Sequence, residues 1–463
     1  MSCGSVSGSS QAVIRTMASV SAAQYTMAKG TLYVPRAPLL NKAHIREEIE
    51  MQYIAGQTFG PGVTSKWQAS RDIDVTPYVI LRFCAGPIPV ANWQGGATFA
   101  RFNDNLGLGC FEEIEVKSGT QRMQTIQPEE TMLYILNMLD ISARANALAA
   151  IGAGTPLERS NSALVEKEIN VPLFTNLGFR LHGDPSQALY TRGLNDLLTW
   201  NIKFRPANEI IETDGTLPLP PANGFLSNGH MIQVGQHIQE DERQMLLSFY
   251  SQHAFAIHFD DTQYASEIII PFNTALPSTF AAPIMNITQP VTSLFFLFRW
   301  QDDLRRVAGQ ANGTRGRDLW NWTGAYNAGG GTQEPIIASL QLSTGNTDIL
   351  KAVPIKRLTG WQHYVDFQGP ANTPSAGYSY SHNPSITNSC LGFISFEQIE
   401  RPRLTINLQV PPAGVAFATV GAAAAADIGS NPAASESNLV CQVIAFTKNE
   451  IAVAKYLLAR AFN

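Results

Sequence analysis

The chain has 463 residues, of which 44% are hydrophobic and only 15% carry a charge. At roughly 100 to 200 residues per domain, this length predicts two or three domains, with enough apolar material for large cores. Since 32 Lys and Arg residues are outnumbered by 37 Asp and Glu residues, the net charge of −5 argues against direct binding to nucleic acid. The low charge indicates instead that much of the surface is covered in an assembly.

Charge is placed unevenly along the chain. Residues 1–46 carry five cations and no Asp or Glu, so this segment has a charge of +5 and the rest of the chain −10. It lacks the apolar run of roughly 7 to 15 residues that a signal peptide needs. We interpret it as a basic N-terminal arm, either a disordered tail or an arm that becomes ordered on a neighbour. Its cations are Arg15, Lys29, Arg36, Lys42 and Arg46.

The cysteines favour neither a metal site nor a disulfide framework. They are Cys3, Cys84, Cys110, Cys390 and Cys441, an odd number without a C-x-x-C pair. We predict reduced thiols, as in cytosolic proteins. No stretch reaches the roughly 20 apolar residues of a membrane-spanning helix.

The first half of the chain shows the alternation of apolar and polar residues that is typical of half-buried β-strands. A helix is predicted at residues 127–145, where Pro128 and two glutamates precede apolar residues at helical spacing. Gly- and Pro-containing turns separate the elements. The predicted strands are residues 50–59, 75–84, 111–117, 168–174 and 196–204.

A Pro- and Gly-rich stretch at residues 205–229 has the composition of a linker, and we place the domain boundary there. This gives a first β domain at residues 47–212, a linker at 213–221 and a second β domain at 222–463. The second half repeats the order of strands, loop, helix and strands, so a duplication is inferred from order alone. Its predicted elements are strands at 231–238, 266–272, 292–300, 336–342 and 439–446, a helix at 353–364, and long loops at 302–332 and 411–438.

Residues 376–410 are predicted to form a β-hairpin. Tyr378 and Tyr380 alternate with small polar residues, and the residues from Leu404 to Gln409 alternate with the same period of two. Between these segments, Asn-, Pro- and Ser-rich clusters provide turn chemistry.

Candidate catalytic and metal-binding groups do not converge in the sequence. His253 and His258, the one close pair of histidines, would point to opposite faces of a strand, whereas a metal site needs three or four convergent ligands. The glycines at 329–331 are not followed by the Lys and Ser or Thr of a phosphate-binding loop. The acidic pairs at 112–113 and 129–130 face apart on a strand or serve a helix start. We therefore expect no cofactor and no enzymatic activity.

Short motifs spread over residues 47–463 resemble those of the major capsid proteins of the nucleocytoplasmic large DNA viruses. A Tyr-Ser strand, a Pro-containing turn and a Phe-Ser strand occur in residues 376–404, and an Asp-Glu-Arg element and a Gln-Pro-Val strand precede them. Two departures are the turn at 387–390 and Gln289, which stands where that family has His. The positions that carry the resemblance are Tyr378, Ser379, Pro384, Phe396, Ile399, Glu400, Asp241, Glu242, Arg243 and Pro290.

The resemblance implies an all-β fold of two tandem jelly-roll β-sandwiches with short inserted helices. It also implies a homotrimer with a near-hexagonal outline that tiles an icosahedral virus shell, located in the virion and assembled in the host cytoplasm or nucleus. Further expected partners are minor capsid proteins and, through the basic arm, internal membrane lipid.

Two alternatives remain open from the sequence. One is a minor or vertex capsid protein of the same virus class. The other is a carbohydrate-binding β-sandwich that uses the aromatic loop residues Trp320, Trp322 and Tyr326.

Overall fold

A computed structural model gives the fold of the chain. It describes residues 45–460 except for 55–58, 174–188, 214–215, 253–254, 271–278, 301–318, 321, 323–325, 328–332, 335, 346, 368–374, 381–391, 400, 410–437 and 455–456.

In the first half, short strands alternate with turns, and a group of helices follows the strand that ends at Ile126. The strands are β1 (Ile45–Glu50), β2 (Gln52–Tyr53), β3 (Thr64–Gln68), β4 (Val75–Ala85), β5 (Ala100–Phe102), β6 (Phe111–Ser118), β7 (Gln121–Ile126), β8 (Lys167–Pro172), β9 (Leu198–Phe204), β10 (Ile211–Thr213) and β11 (Leu226–His237). The helices are α1 (Leu106–Gly109), α2 (Pro128–Met138), α3 (Ile141–Ala150), α4 (Pro156–Ser162) and α5 (Ala207–Ile210).

The second half begins after helix α6 (Glu240–Gln252) and is again mainly strands. These are β12 (Phe255–Tyr264), β13 (Ile268–Ile270), β14 (Thr279–Pro283), β15 (Pro290–Trp300), β16 (Tyr326–Asn327), β17 (Gln333–Glu334), β18 (Ile337–Thr344), β19 (Thr347–Pro354), β20 (Ala376–Ser379), β21 (Ile394–Ser395), β22 (Pro402–Leu408), β23 (Leu439–Ala454) and β24 (Leu457–Arg460). A π-helical turn (Arg357–Trp361) and α7 (Gln362–Asp366) lie between β19 and β20.

Both halves have the same strand topology. Taken in chain order as strands 1 to 8, the main strands are β1, β3, β4, β6, β7, β8, β9 and β11 in the first half, and β12, β14, β15, β18, β19, β20, β22 and β23 in the second. In each half one sheet has the order 1-8-3-6 and the other 2-7-4-5. All of these neighbours are antiparallel. Two sheets of four main strands each are the architecture of a jelly roll, so the predicted fold class is confirmed.

Strand β11 belongs to the first sandwich, although the sequence analysis assigned residues 231–238 to the second domain. It is strand 8 of the first half and pairs with both β1 and β4. The Pro- and Gly-rich residues 213–221 therefore lie in the connection from strand 7 to strand 8 of one sandwich, where turn chemistry is equally needed. We propose that the domain boundary lies at α6, between His237 and Phe255.

The predicted hairpin at 376–410 is wrong in its pairing. β20 pairs with β15, whereas β22 pairs with β14 and β18 in the other sheet. The two segments are thus strands 6 and 7, which lie in opposite sheets of the second sandwich.

One group of inserted helices occupies the same place in both sandwiches, between strands 5 and 6: α2 to α4 in the first, and the π-helical turn with α7 in the second. In the first half, the helix predicted at 127–145 is two helices. α2 ends at Met138, and Asp140 caps α3 by accepting a hydrogen bond from the backbone N–H of Ala143 at 2.7 Å. α4 begins with a capping box formed by Thr155 and Glu158.

Candidate functional site: the contact between the two sandwiches

Strand β15 is buried on both of its faces. Leu294, Phe296 and Phe298 point into the core of the second sandwich. Phe295 and Leu297 belong instead to the hydrophobic cluster of the first half. Because successive side chains of a strand alternate between faces, one strand joins the two cores. The two sandwiches are therefore packed against each other over a shared apolar contact.

A buried ion pair crosses this contact. Glu129, in the first turn of α2, accepts a hydrogen bond from Nη1 of Arg299 on β15 at 2.8 Å, and the two residues are only 7% and 2% exposed. Burial would raise the pKa of Glu129, but the positive charges of Arg299 and Arg205 outweigh it and hold that pKa below its ordinary value. Arg299 is fixed further by Gln442, whose side-chain oxygen accepts from Nη2.

Glu130, the next residue of α2, contacts the first strand of the second sandwich. It is fully buried and accepts hydrogen bonds from Thr262 and from the hydroxyl of Tyr264, the latter at 3.1 Å. Burial and the nearby Glu130 and Glu129 raise the pKa of Tyr264 well above its ordinary value, so this phenol remains a donor. The sequence analysis assigned residues 129–130 only to the helix start, and a single sequence gives no signal for their partners more than 100 residues away.

The connection between β15 and β18 also reaches the first sandwich. The indole N–H of Trp320 donates to the backbone oxygen of Asp104 at 2.9 Å. Trp322 is fully buried, its indole donates to the oxygen of Leu319 at 2.8 Å, and its own backbone oxygen accepts from the N–H of Phe298. A sugar platform needs exposed rings, which Trp322 does not provide. The side chain of Tyr326 lies outside the described residues.

The Asp-Glu-Arg element at residues 241–243 anchors α6 to the first sandwich. Nε and Nη2 of Arg243 donate to the two carboxylate oxygens of Asp74, each at 2.9 Å. Asp74 is fully buried and also accepts from the N–H of Ile238 at 3.0 Å. Burial would raise the pKa of Asp74, but the hydrogen bonds from Arg243 and Ile238 outweigh it and lower that pKa. Asp241 is exposed.

The Gln-Pro element at residues 289–290 begins β15. Pro290 pairs with Ser395 of β21. The side chain of Gln289 is buried; it donates to Asp261 at 3.1 Å and accepts from Thr447 at 2.5 Å. Gln289 thus connects strands 1, 3 and 8 of the second sandwich.

Other positions singled out by the sequence analysis are distributed over the second sandwich. Tyr378 lies opposite Leu294 and Ser379 opposite Ser293 in the pairing of β20 with β15. Phe396 is buried in the core of the second sandwich, and Ile399 packs against that core. The structure does not bring these residues together into one site. Pro384, Glu400 and the side chain of Glu242 lie outside the described residues, as do Arg15, Lys29, Arg36, Lys42 and the side chain of Arg46, whose backbone is part of β1.

Among the described residues, no group of three or more His, Cys, Asp or Glu side chains is arranged to hold a metal ion. Within the same residues, no helix has the length and apolar character needed to cross a membrane.

Comparison with solved structures identifies chains of similar fold. VP54 of PBCV-1, in a crystal structure fitted into a cryo-EM reconstruction of the virophage Sputnik, matches with a TM-score of 0.67 over 91% of this chain and 97% of its own, at 16% identity. A chain of the PBCV-1 virus capsid gives 0.66 over the same shares and at the same identity. The Faustovirus major capsid protein gives 0.61 over 91% of this chain and 92% of its own, at 9% identity.

This chain has the double jelly-roll fold of these viral capsid chains. Each match covers nearly the whole of both chains, so the likeness includes both sandwiches and the way they are joined. No family model and no curated protein matches the sequence.

Proposed function

We propose that this chain is the major capsid protein of a large DNA virus, which forms trimers of near-hexagonal outline that tile an icosahedral shell. The observation that carries the proposal is the pair of sandwiches with identical topology, joined by a buried contact. Three copies place six similar sandwiches around one axis, and six similar units can fill a hexagonal outline. The fold shared with the Faustovirus major capsid protein supports this role, which is structural and not enzymatic.

The test is the size and shape of the purified full chain. Native mass spectrometry should give three times the chain mass of 50.4 kDa, and negative-stain images should show three-fold particles with six-sided outlines. A stable monomer at micromolar concentration in both measurements would refute the proposal.

The basic arm at residues 1–46 is proposed to lie on the inner face of the shell. Five cations and no acid within the arm itself suit an anionic lipid surface or an acidic minor capsid protein. Removal of residues 1–40 should leave trimers intact but reduce shell assembly, measured by electron microscopy of assembled particles. Unchanged shell assembly would count against this role of the arm.

A further inference from the structure

Within one chain, the two sandwiches contact each other through two different sides. The first sandwich contributes α2, which lies between its strands 5 and 6, and the second contributes β12, its strand 1. Glu130 of α2 accepts hydrogen bonds from Thr262 and Tyr264 of β12. On the same side, β24 of the second sandwich contacts β7, strand 5 of the first. The helix-bearing side of one sandwich thus meets the strand-1 side of the next.

Among the described residues, each chain leaves one side of each kind uncovered. In the second sandwich, the π-helical turn and α7 take the place that α2 has in the first. In the first sandwich, strand 1 is β1, which lies at the edge of its sheet and pairs only with β11 among the described strands. An exposed strand edge is a ready site for another chain.

The uncovered helical side is apolar and basic. Arg357, Trp361 and Val365 are spaced four residues apart and are all exposed, with Trp361 at 61% and Val365 at 51%. Lys356, next to Arg357, and Lys351, on β19, which contacts the π-helical turn, are also exposed. Within the described part of the chain, neither lysine nor Arg357 has an ion pair. We refer to these five residues as the basic helical face. Exposed Trp and Arg are the residue types that most often dominate binding energy at interfaces.

The uncovered strand β1 is acidic. Glu47, Glu48 and Glu50 are all exposed along it, and Glu48 and Glu50 point to the same face of the strand. We refer to Glu48 and Glu50 as the acidic edge. Glu50 contacts His230 on the neighbouring β11. With two carboxylates and one imidazole, the edge presents negative charge to a neighbouring chain.

We propose that the basic helical face of one copy packs against the acidic edge of the next copy, in the arrangement that α2 and β12 have within the chain. Cations of one copy then face the Glu48 and Glu50 carboxylates of the next, and opposite potentials fix the register between copies. The contact uses two different surfaces, so it is heterologous and can close into a ring. In a trimer, intrachain and interchain contacts of the same kind would alternate around six sandwiches. This inference rests on the proposed self-assembly and names the surfaces that carry it.

Charge reversal on each surface tests the pairing. Lys356→Glu with Arg357→Glu, and separately Glu48→Lys with Glu50→Lys, should each weaken trimers at least tenfold, measured by sedimentation velocity and native mass spectrometry at about 150 mM salt. All four changes in one chain restore opposite charges and should recover trimers. The matched control is Arg401→Glu with Arg403→Glu, two exposed cations on or next to β22 with the same total change of charge. Circular dichroism confirms that each variant is folded.

The outcomes separate this inference from the proposed function. A monomeric wild-type chain would refute both. If the wild type is a trimer and both reversals leave it unchanged, only the pairing is refuted. The same holds if the variant with all four changes does not recover trimers. Trimers that survive Lys356→Glu with Arg357→Glu, combined with lost binding to vesicles containing phosphatidylserine, would identify a lipid surface as the occupant and also refute the pairing.

Discussion

Replacing Arg299 by Leu should destabilise the chain more than any change at an exposed ion pair. The variant leaves the Glu129 carboxylate buried without its closest cation. At the observed separation of 2.8 Å and an effective dielectric constant of about 20, the lost attraction is about 6 kcal/mol. Part of that attraction only offsets the cost of removing the two charges from water, so we expect a loss of about 3 to 5 kcal/mol in the free energy of unfolding.

The loss of stability caused by Arg299→Leu should depend on pH. In the wild type, the lowered pKa of Glu129 means that its pair is fully stabilising above the ordinary carboxyl value of 4.5 and is lost as the pH falls below it. Without Arg299, the buried carboxyl protonates more readily, and a neutral acid is less costly to bury. The difference between wild type and variant should therefore be largest near pH 7 and shrink as the pH falls below about 5.

Urea unfolding followed by tryptophan fluorescence measures both the free energy of unfolding and its dependence on pH. The double variant Glu129→Leu with Arg299→Leu should lose less than either single variant, because no uncompensated charge remains. The control is Lys203→Met, which removes an exposed pair with Glu112 and should cost about 0 to 1 kcal/mol. A loss below about 1 kcal/mol for Arg299→Leu, or a loss independent of pH, would refute this account of the contact.

Three further predictions concern the first sandwich and its neighbour. Because the pKa of Asp74 is lowered from 3.8, its pairing with Arg243 stabilises the fold above that pH and is lost below it. In Asp74→Asn, the urea midpoint of unfolding should therefore fall less on acidification than in the wild type, and an equal fall would contradict this. Gly235→Ala would place a Cβ against the side chain of Ile73 and 2.8 Å from the backbone oxygen of Val75, and should lower the free energy of unfolding by about 1 to 3 kcal/mol. Trp322→Ala should cost about 3 to 5 kcal/mol in the same measurement, and a neutral result would show that this ring is not part of the core.

Strands with a strong local pattern could be predicted from the sequence almost to the residue. The segment predicted at 75–84 is Val75–Ala85, and the one at 111–117 is Phe111–Ser118. In both, the inward residues alternate with partly exposed ones, which is the signal that the period of two detects. The helix predicted at 353–364 is helical from Ile355 onward. β19, which precedes it, was not predicted, because only Leu350 of its eight residues is buried and an edge strand of this kind carries little hydrophobic pattern.

Neither the pairing of the strands nor the contacts between the two sandwiches could be predicted from local sequence patterns. The described residues of 376–410 contain three strands, β20, β21 and β22. The alternation of a strand does not identify its partner, and β20 and β22, strands 6 and 7 of the jelly roll, lie in different sheets. The Pro- and Gly-rich residues 205–229 have the same composition whether they connect two domains or two strands of one sandwich. Arg299 was visible as a charge at the end of an apolar run, but its partner Glu129 lies 170 residues away in the chain.

The contact between the two sandwiches explains a difference in sequence between two equivalent strands. β15 and β4 are both strand 3, yet every described side chain of β15 from Val291 to Arg299 is buried, whereas β4 alternates between buried and partly exposed residues. The inner face of each strand packs into the core of its own sandwich, so the two strands differ in their outer faces. The outer face of β15 packs against the first sandwich, whereas no second sandwich packs against the outer face of β4 among the described residues. Accordingly, β15 is an almost continuous apolar run, whereas β4 is amphipathic and carries Arg82 on its outer face. Among the described residues, the outer face of β4 is only half covered, as expected if this sheet is completed by contacts outside the chain.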